Sequence, residues 1–573
     1  MILISKRIPS CHSFFFLGFI LFSFNISLAQ EAILKQKIKV IQELLTSVDA
    51  NKLTFNQELK TVSPGYYDYT VTEINNKGNE VETTYTFALA DIDKNSVRYF
   101  TKKDVILIEL SIKGKQKLIR RTTDEGSKIN YIPSFTMYGL NADNGRDLES
   151  AIEDGIPEAI EVDKSSLVLS SYEEHLNWLE KNITDIDLPK HQIAQLFSKN
   201  AEKTAFVTLN QTVGSKNERF EFNLALMNPN SVNYKISGDE FIIEVSSAKG
   251  VSGIKFYNDD IFKGYTDKVF LYANSLANGK HIYTVLKEII PLAQTEFETY
   301  KQEINTLDTA LEYLNTHTNA VKSDGRITMQ KLALEEDIAF LSTKEEVSDK
   351  NEEHLYSFNL TDINQNGISF KNKKTRFYLI LSTNKGEKYI GHSLNGETEN
   401  YEKEILLYFN SFDEAYVGKE ALQFLIVHYK DRTTEVTDES FEIGLEDALR
   451  QLRSEIKPVQ EGNLSYEQEI ELLETETSTF RFTKTELSDK RTLENIYEFS
   501  AKDLSQKSSK IIVSGKRVWA EIGVKSDEKL VKVYKDGQVQ NYGNKIEIEA
   551  LDPENAKEIV ATLKKLAASK SKL

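Results

Sequence analysis

The stretch LTDINQNGISF, residues 360–370, sets Asp362, Asn364 and Asn366 at alternate positions and follows them with Gly367. An EF-hand loop opens in this way, because a hard cation such as calcium needs several oxygens converging from one tight turn. Such a loop also needs a bidentate glutamate at its twelfth position, where this chain has Lys373. An ammonium in place of the strongest ligand repels the cation. The expectation is a turn between two strands, in which Asp and Asn bond their own backbone two residues on.

Other chemistries leave little trace. Beyond the N-terminal segment the histidines are His175, His191, His281, His317, His354, His392 and His428. None forms HxH or HExxH, the spacings that bring two imidazoles to one metal. The single cysteine is Cys11, inside an N-terminal leader. Disulfides, thiolate nucleophiles and cysteine-held metals are therefore excluded from the rest of the chain. No G-x-S-x-G elbow, phosphate-binding loop or G-x-G-x-x-G is present. KGVSGIK, residues 249–255, has the wrong spacing and reads as a hairpin turn. No catalytic, cofactor-binding or metal-ligating residue is assigned, and no cofactor is expected.

The elements that position these residues come from a repeat. YTFALADIDKNSVRY (85–99), FEFNLALMNPNSVNY (220–234), YSFNLTDINQNGISF (356–370) and YEFSAKDLSQKSSKI (497–511) are versions of one stretch. Their central aromatics are Phe87, Phe222, Phe358 and Phe499. TKEEVSDK (343–350) and TKTELSDK (483–490) precede two of them, with TVTEINNK (70–77) and TLNQTVGSK (208–216) as weaker counterparts. Fifty-seven residues past each Phe lie Asn144, Gly279, Ala415 and Ala556, each opening a helical pattern. Constant spacing between anchors marks one fold repeated. The division is a signal peptide over 1–29 and four repeats over 30–168, 169–300, 301–438 and 439–573.

Aligned this way, Asp91, Asp362 and Asp503 share a position that holds Leu226 in the second copy. Asp93, Asn228, Asn364 and Ser505 share another, as do Asn95, Asn230, Asn366 and Lys507, and Lys102 occupies the twelfth position in the first copy. Glu73, Glu346 and Glu486 align with Gln211. A glycosidase-like pair of acids needs both carboxyls at a set separation in a cleft, and the second copy has neither.

Each copy opens with an amphipathic helix: ILKQKIKVIQELL (33–45), YEEHLNWLEKNI (172–183), TLDTALEYLNT (306–316) and IGLEDALRQLRSEI (443–456). Short alternating runs follow, as in FRFTKTEL, KIIVSG and KIEIEA of the fourth copy, with turns such as KDGQ at 535–538. A closing helix ends the copy; in the fourth, Asp552 suits the cap and Pro553 the first helical position. The expected fold is α+β: four tandem repeats, each a roughly seven-stranded antiparallel sheet or small barrel with a helix before and after it. Short, charged linkers around 160–170, 296–306 and 432–441 suggest that adjoining copies touch weakly. Trp178 and Trp519 sit in patterns that favour burial.

About seven strands followed by one C-terminal helix resembles the pleckstrin-homology-like barrel in layout. Lipid-binding members of that family cluster Lys and Arg in an early hairpin, whereas the matching TKTELSDKRTLEN is mixed in charge. Phosphoinositide binding is not implied. The repeat also looks like units of uncharacterised exported bacterial proteins.

Lys6 and Arg7, the apolar run FFFLGFILFSF (14–24) and the small residues Ser27 and Ala29 form an export signal, with cleavage expected after Ala29. No later run is apolar enough to span a bilayer. The formal net charge of −17 disfavours nucleic acid as a partner. The function expected is that of an exported, non-enzymatic multi-repeat binding or scaffold protein of the cell envelope, periplasmic or extracellular. Its partner would be an envelope protein or a glycan. The alternative is a carboxylate-dependent hydrolase with its site in one specialised repeat or at a repeat junction.

Overall fold

The structure is a computed structural model and describes residues 29–568 apart from 51, 190, 248–250, 324, 348–349 and 438–443. Residues 1–28, with Cys11 and nearly all of the expected signal peptide, lie outside the described residues, as do parts of TKEEVSDK, of KGVSGIK and of the third linker. The chain forms two compact units, Met1–Lys301 and Gln302–Leu573.

The first copy shows how each copy is made. Helix α1 (29–44) precedes nine strands. These are β1 (Val48–Ala50), β2 (Leu53–Ser63), β3 (Tyr66–Asn75), β4 (Glu80–Ala88), β5 (Arg98–Lys102), β6 (Val105–Ser111), β7 (Ile119–Thr123), β8 (Lys128–Ile132) and β9 (Ser134–Gly139). Helix α2 (Ala142–Ser165) closes the copy. The strands form a six-stranded antiparallel sheet in the order β1-β2-β3-β4-β7-β8 and a three-stranded one in the order β5-β6-β9. The same six-plus-three division recurs in the other three copies.

The expectation of about seven strands in one sheet or small barrel is thus corrected to nine strands in two sheets, with no closed barrel among the described residues. The sequence undercounts because some strands, such as Ile186–Asp187, Glu397–Thr398 and Gln538–Val539, are two residues long, too short for alternation to register. The division in two follows the repeated turn. After β4 the chain makes two single turns of 3-10 helix, Leu89–Asp91 and Lys94–Ser96, and leaves the first sheet before β5 begins.

The remaining helices are α3 (Tyr172–Asn182), α4 (Leu276–Tyr300), α5 (Leu307–Thr318), α6 (Phe412–Thr437), α7 (Leu445–Glu455) and α8 (Pro553–Ala568). The α8 cap is as read from sequence, with Asn555 N donating to Asp552 Oδ1 at 2.8 Å. Helices α2 and α4 run through Pro157 and Pro291. The first half of each linker expected at 160–170 and 296–306 is therefore helix. The core lies between the sheets and the helices. Its anchors are the four repeated phenylalanines, Phe87, Phe222, Phe358 and Phe499, exposed by 2–3 %. Trp178 and Trp519 are only half-buried, contrary to expectation.

Candidate functional site

The repeated turn is held by hydrogen bonds to its own side chains. Asp93 Oδ1 accepts from Asn95 N at 3.1 Å, and Asn228 Oδ1 from Asn230 N at 3.0 Å. Asn364 Oδ1 accepts from both Asn366 N and Gly367 N at 3.1 Å. Ser505 Oγ accepts from Ser508 N at 3.3 Å. Asp93, Asn228 and Asn364 cap a 3-10 turn and Ser505 an ordinary one, and their oxygens face backbone N–H groups. Gly367 is required by a close approach: a Cβ there would lie 2.9 Å from the Asn364 amide nitrogen. Lys102 and Lys373 are exposed at strand ends. Among the described residues no group of three or more His, Cys, Asp or Glu could hold a metal ion.

The aligned aspartates have a different role, which sequence reasoning missed. In the first unit, Lys280 of α4 reaches from the second copy to Asp91 of the first, Nζ to Oδ1, at 2.9 Å. Lys280 also approaches Asp163 of α2 at 3.5 Å and lies over the Tyr66 ring, 5.6 Å from its centroid. In the second unit, Lys557 of α8 reaches from the fourth copy to Asp362 of the third at 2.5 Å and lies 5.5 Å from the Tyr389 ring. Lys280 and Lys557 are each the fifth residue of a closing helix. The two ion pairs are therefore one joint used twice.

The joint is nearly dry in the first unit, where both side chains are 17 % exposed. Burial raises the Asp91 carboxyl above its ordinary value, with Lys280 opposing. Burial pulls the Lys280 ammonium down, but Asp91, Tyr66 and Asp163 outweigh it and hold it above the usual lysine range. Asp91 Oδ2 is buried with no hydrogen-bond partner among the described residues. Burial also raises Glu554 beside the second joint, where Asn359 Nδ2 donates to its Oε2 at 3.1 Å.

A second contact accompanies each joint. Tyr131 of the first copy, 8 % exposed, lies near Asp239 at the tip of the second copy's hairpin. Its counterpart Tyr401 donates its backbone N–H to Gly515 O of the fourth copy's hairpin at 3.1 Å. Lys516 of that hairpin donates to Thr398 O. Beside the first joint lies an open depression of 430 Å³ lined by Lys117, Leu118, Lys235, Tyr234 and Tyr283 among others. Another, of 490 Å³, lies within the second copy, and its acids are Asp185, Glu218, Asp259 and Asp260 beside Arg219.

A glutamine in every copy also escaped the sequence reading. Gln195 Nε2 donates to Thr184 O at 3.0 Å and Tyr272 O at 2.9 Å, and its Oε1 accepts from Tyr272 N at 2.9 Å. Gln57, Gln330 and Gln468 bond Tyr138, Tyr408 and Glu549 in the same two-way manner. Each ties the six-stranded sheet to the last strand of the three-stranded one. These glutamines face Val71, Gln211, Thr343 and Lys484 across the sheet. In that register Glu73 matches Glu345, Glu486 and Val213, so the alignment with Glu346 and Gln211 is corrected by one or two residues. Glu345 binds Arg376 at 3.1 Å, and Glu486 pairs with Arg491 at 3.7 Å.

The structure keeps the two aligned acids apart. Glu73 pairs with Val81 at one end of the β3–β4 hairpin, while Asp91 follows Ala88, which pairs with Tyr66 at the other. Seven residues of strand separate the ends, roughly 23 Å, well beyond what a two-carboxylate hydrolytic site spans. The scattered histidines mostly stay apart, although His354 and His392 meet, Nδ1 to Nε2 at 3.0 Å.

Comparison with protein-family models, with curated proteins and with solved structures finds no match to this chain. Among the described residues no helix is long and apolar enough to cross a membrane.

Proposed function

We propose that the chain is an exported, non-enzymatic, multi-repeat binding or scaffold protein of the cell envelope. The observation that carries this reading is the joint: the half-buried aspartates that recur between copies are paired with lysines of the next copy, Asp91 with Lys280 and Asp362 with Lys557. A charge neutralised in this way serves assembly and is not held ready for proton transfer. Four similar copies in one chain, joined in pairs, present several similar surfaces, the arrangement that multivalent binding uses. The depression beside Tyr234 and Tyr283, with Lys117 and Lys235 on its rim, suits an envelope glycan or protein segment bearing apolar faces and negative groups.

The test is affinity capture. The protein, tagged at its C-terminus, is crosslinked in intact cells, and the captured species are identified. A specific envelope protein or glycan, lost when one or two repeats are deleted, supports the reading; capture of nothing by folded, exported protein overturns it. A carboxylate-dependent hydrolase is the second reading, favoured by the four acids of the 490 Å³ depression. Turnover of glycan or peptide substrates that Asp259→Asn abolishes would establish it.

A further inference from the structure

The fourth copy carries the acceptor face of the joint, and nothing among the described residues covers it. In the first copy this face is Asp91, Leu118 and Tyr131. Leu118, 3 % exposed, lines a depression together with Tyr234 and Tyr283 of the second copy, and Tyr131, 8 % exposed, lies near its Asp239. The strand register fixes the counterparts. Ile119 pairs with Ile132, Ile390 with Glu402 and Val531 with Gly543, so Tyr131, Tyr401 and Tyr542 share one place, and Leu118, Tyr389 and Leu530 another. In the fourth copy Leu530 is 42 % and Tyr542 51 % exposed. Asp503 makes no ion pair among the described residues, whereas Asp91 and Asp362 each make one.

The sequence marks this face as an acceptor of the same class. At the place of Tyr131, Asn-Tyr stands at 130–131, 400–401 and 541–542, in the three copies that have the aspartate. The second copy, with Leu226 in place of the aspartate, has Gly264-Tyr265 instead.

The matching donor lies on the first copy. Its closing helix has Arg146 as fifth residue, the place of Lys280 and Lys557 in theirs. Arg146 is 61 % exposed and bonded to Asp143 of its own helix at 3.2 Å. The neighbouring hairpin tip, Lys102 to Asp104, is also exposed.

We infer that a second copy of this chain docks its first repeat on the fourth repeat of the first, with Arg146 meeting Asp503 and the hairpin at Lys103 covering Tyr542. Two arguments select this occupant: the face repeats an interface that each unit already contains, and the charges are complementary. Because the two faces are different surfaces, one such contact leaves a donor face and an acceptor face open at its two ends. It propagates head to tail, which would space the copies of a scaffold along a line. The inference does not depend on which ligand the protein binds.

The test is sedimentation velocity of the mature full-length protein over a range of concentrations, at low and high salt. Wild type is expected to show a ladder of species that grows with concentration and shrinks with salt. Asp503→Arg and Arg146→Asp should each weaken association by about tenfold or more. Arg146 lies at the surface and Asp503 is half-buried with no ion pair among the described residues, so the fold should persist, which thermal melts would verify. The double variant Asp503→Arg/Arg146→Asp restores the complementary pair between successive molecules and should recover the ladder. A wild type that stays monomeric at every concentration overturns the inference. So does a closed dimer, or association that neither single variant weakens.

Discussion

Lys280 Nζ lies 2.9 Å from Asp91 Oδ1, although 189 residues separate them in the chain. Each belongs to a different copy, and each copy is complete in its own sheets. The pair is therefore the seam of the unit, and its repetition by Lys557 and Asp362 shows that the seam belongs to the design of the repeat.

Calcium should do nothing at the repeated turn. Its oxygens already accept backbone N–H groups, and the carboxylate of Asp362 is already paired with Lys557. Millimolar calcium should leave the melting temperature unchanged. An upward shift that Asp362→Ala abolishes would contradict this.

Gln195→Ala should destabilise the first unit by about 2 kcal/mol. The side chain is 5 % exposed, and truncation leaves the Tyr272 and Thr184 backbone groups short of partners. Chemical denaturation would measure the loss. A change within experimental error would show that the two sheets do not depend on this tie.

Gly279→Ala should also destabilise, by about 1–3 kcal/mol. The added Cβ would lie 2.5 Å from the Phe241 ring, at the point where α4 crosses the three-stranded sheet. Phe241→Leu in the same chain should recover part of the loss. If Gly279→Ala melts with wild type, the approach of helix to sheet is looser than this geometry.

The second unit should lose stability in mild acid. Burial lowers the pKa of His392 below the ordinary 6.5, and the charge of His354 lowers it further, with Glu402 and Glu399 opposing. The unfolded chain then takes up a proton that the folded state refuses. Stability from this group is full above about 6.5 and declines as pH falls below it. Unfolding followed by Trp519 in a Trp178→Phe background should show a midpoint that drops between about pH 7 and pH 5.5. His392→Asn should flatten that drop; an unchanged profile in the variant would count against the assignment.

Much of the fold was legible because it is local. The phenylalanine anchors, the opening helices, the turn and the Asp552 cap all declare themselves within a few residues. What escaped depends on distance or brevity. Strands of two residues carry no period, and α2 and α4 run past Pro157 and Pro291 into stretches expected to be linkers. Gln57 and its counterparts look like ordinary polar strand residues until the second sheet arrives some eighty residues later. The aspartates were visible as a repeated position, but their lysines sit in the next copy's helix, where nothing in the spacing points back.

The most direct measurement is a double-mutant cycle at the seam, Asp91→Leu and Lys280→Met, read by denaturation of the full chain through Trp178 in a Trp519→Phe background. Leucine is the residue that the second copy already has at this position, Leu226. Removing Lys280 alone strands a buried carboxylate and should cost about 2–4 kcal/mol, whereas the double variant should return close to wild type. A coupling energy of about 2 kcal/mol or more is the result expected if the seam joins the copies. Additive effects, with no coupling, would contradict it.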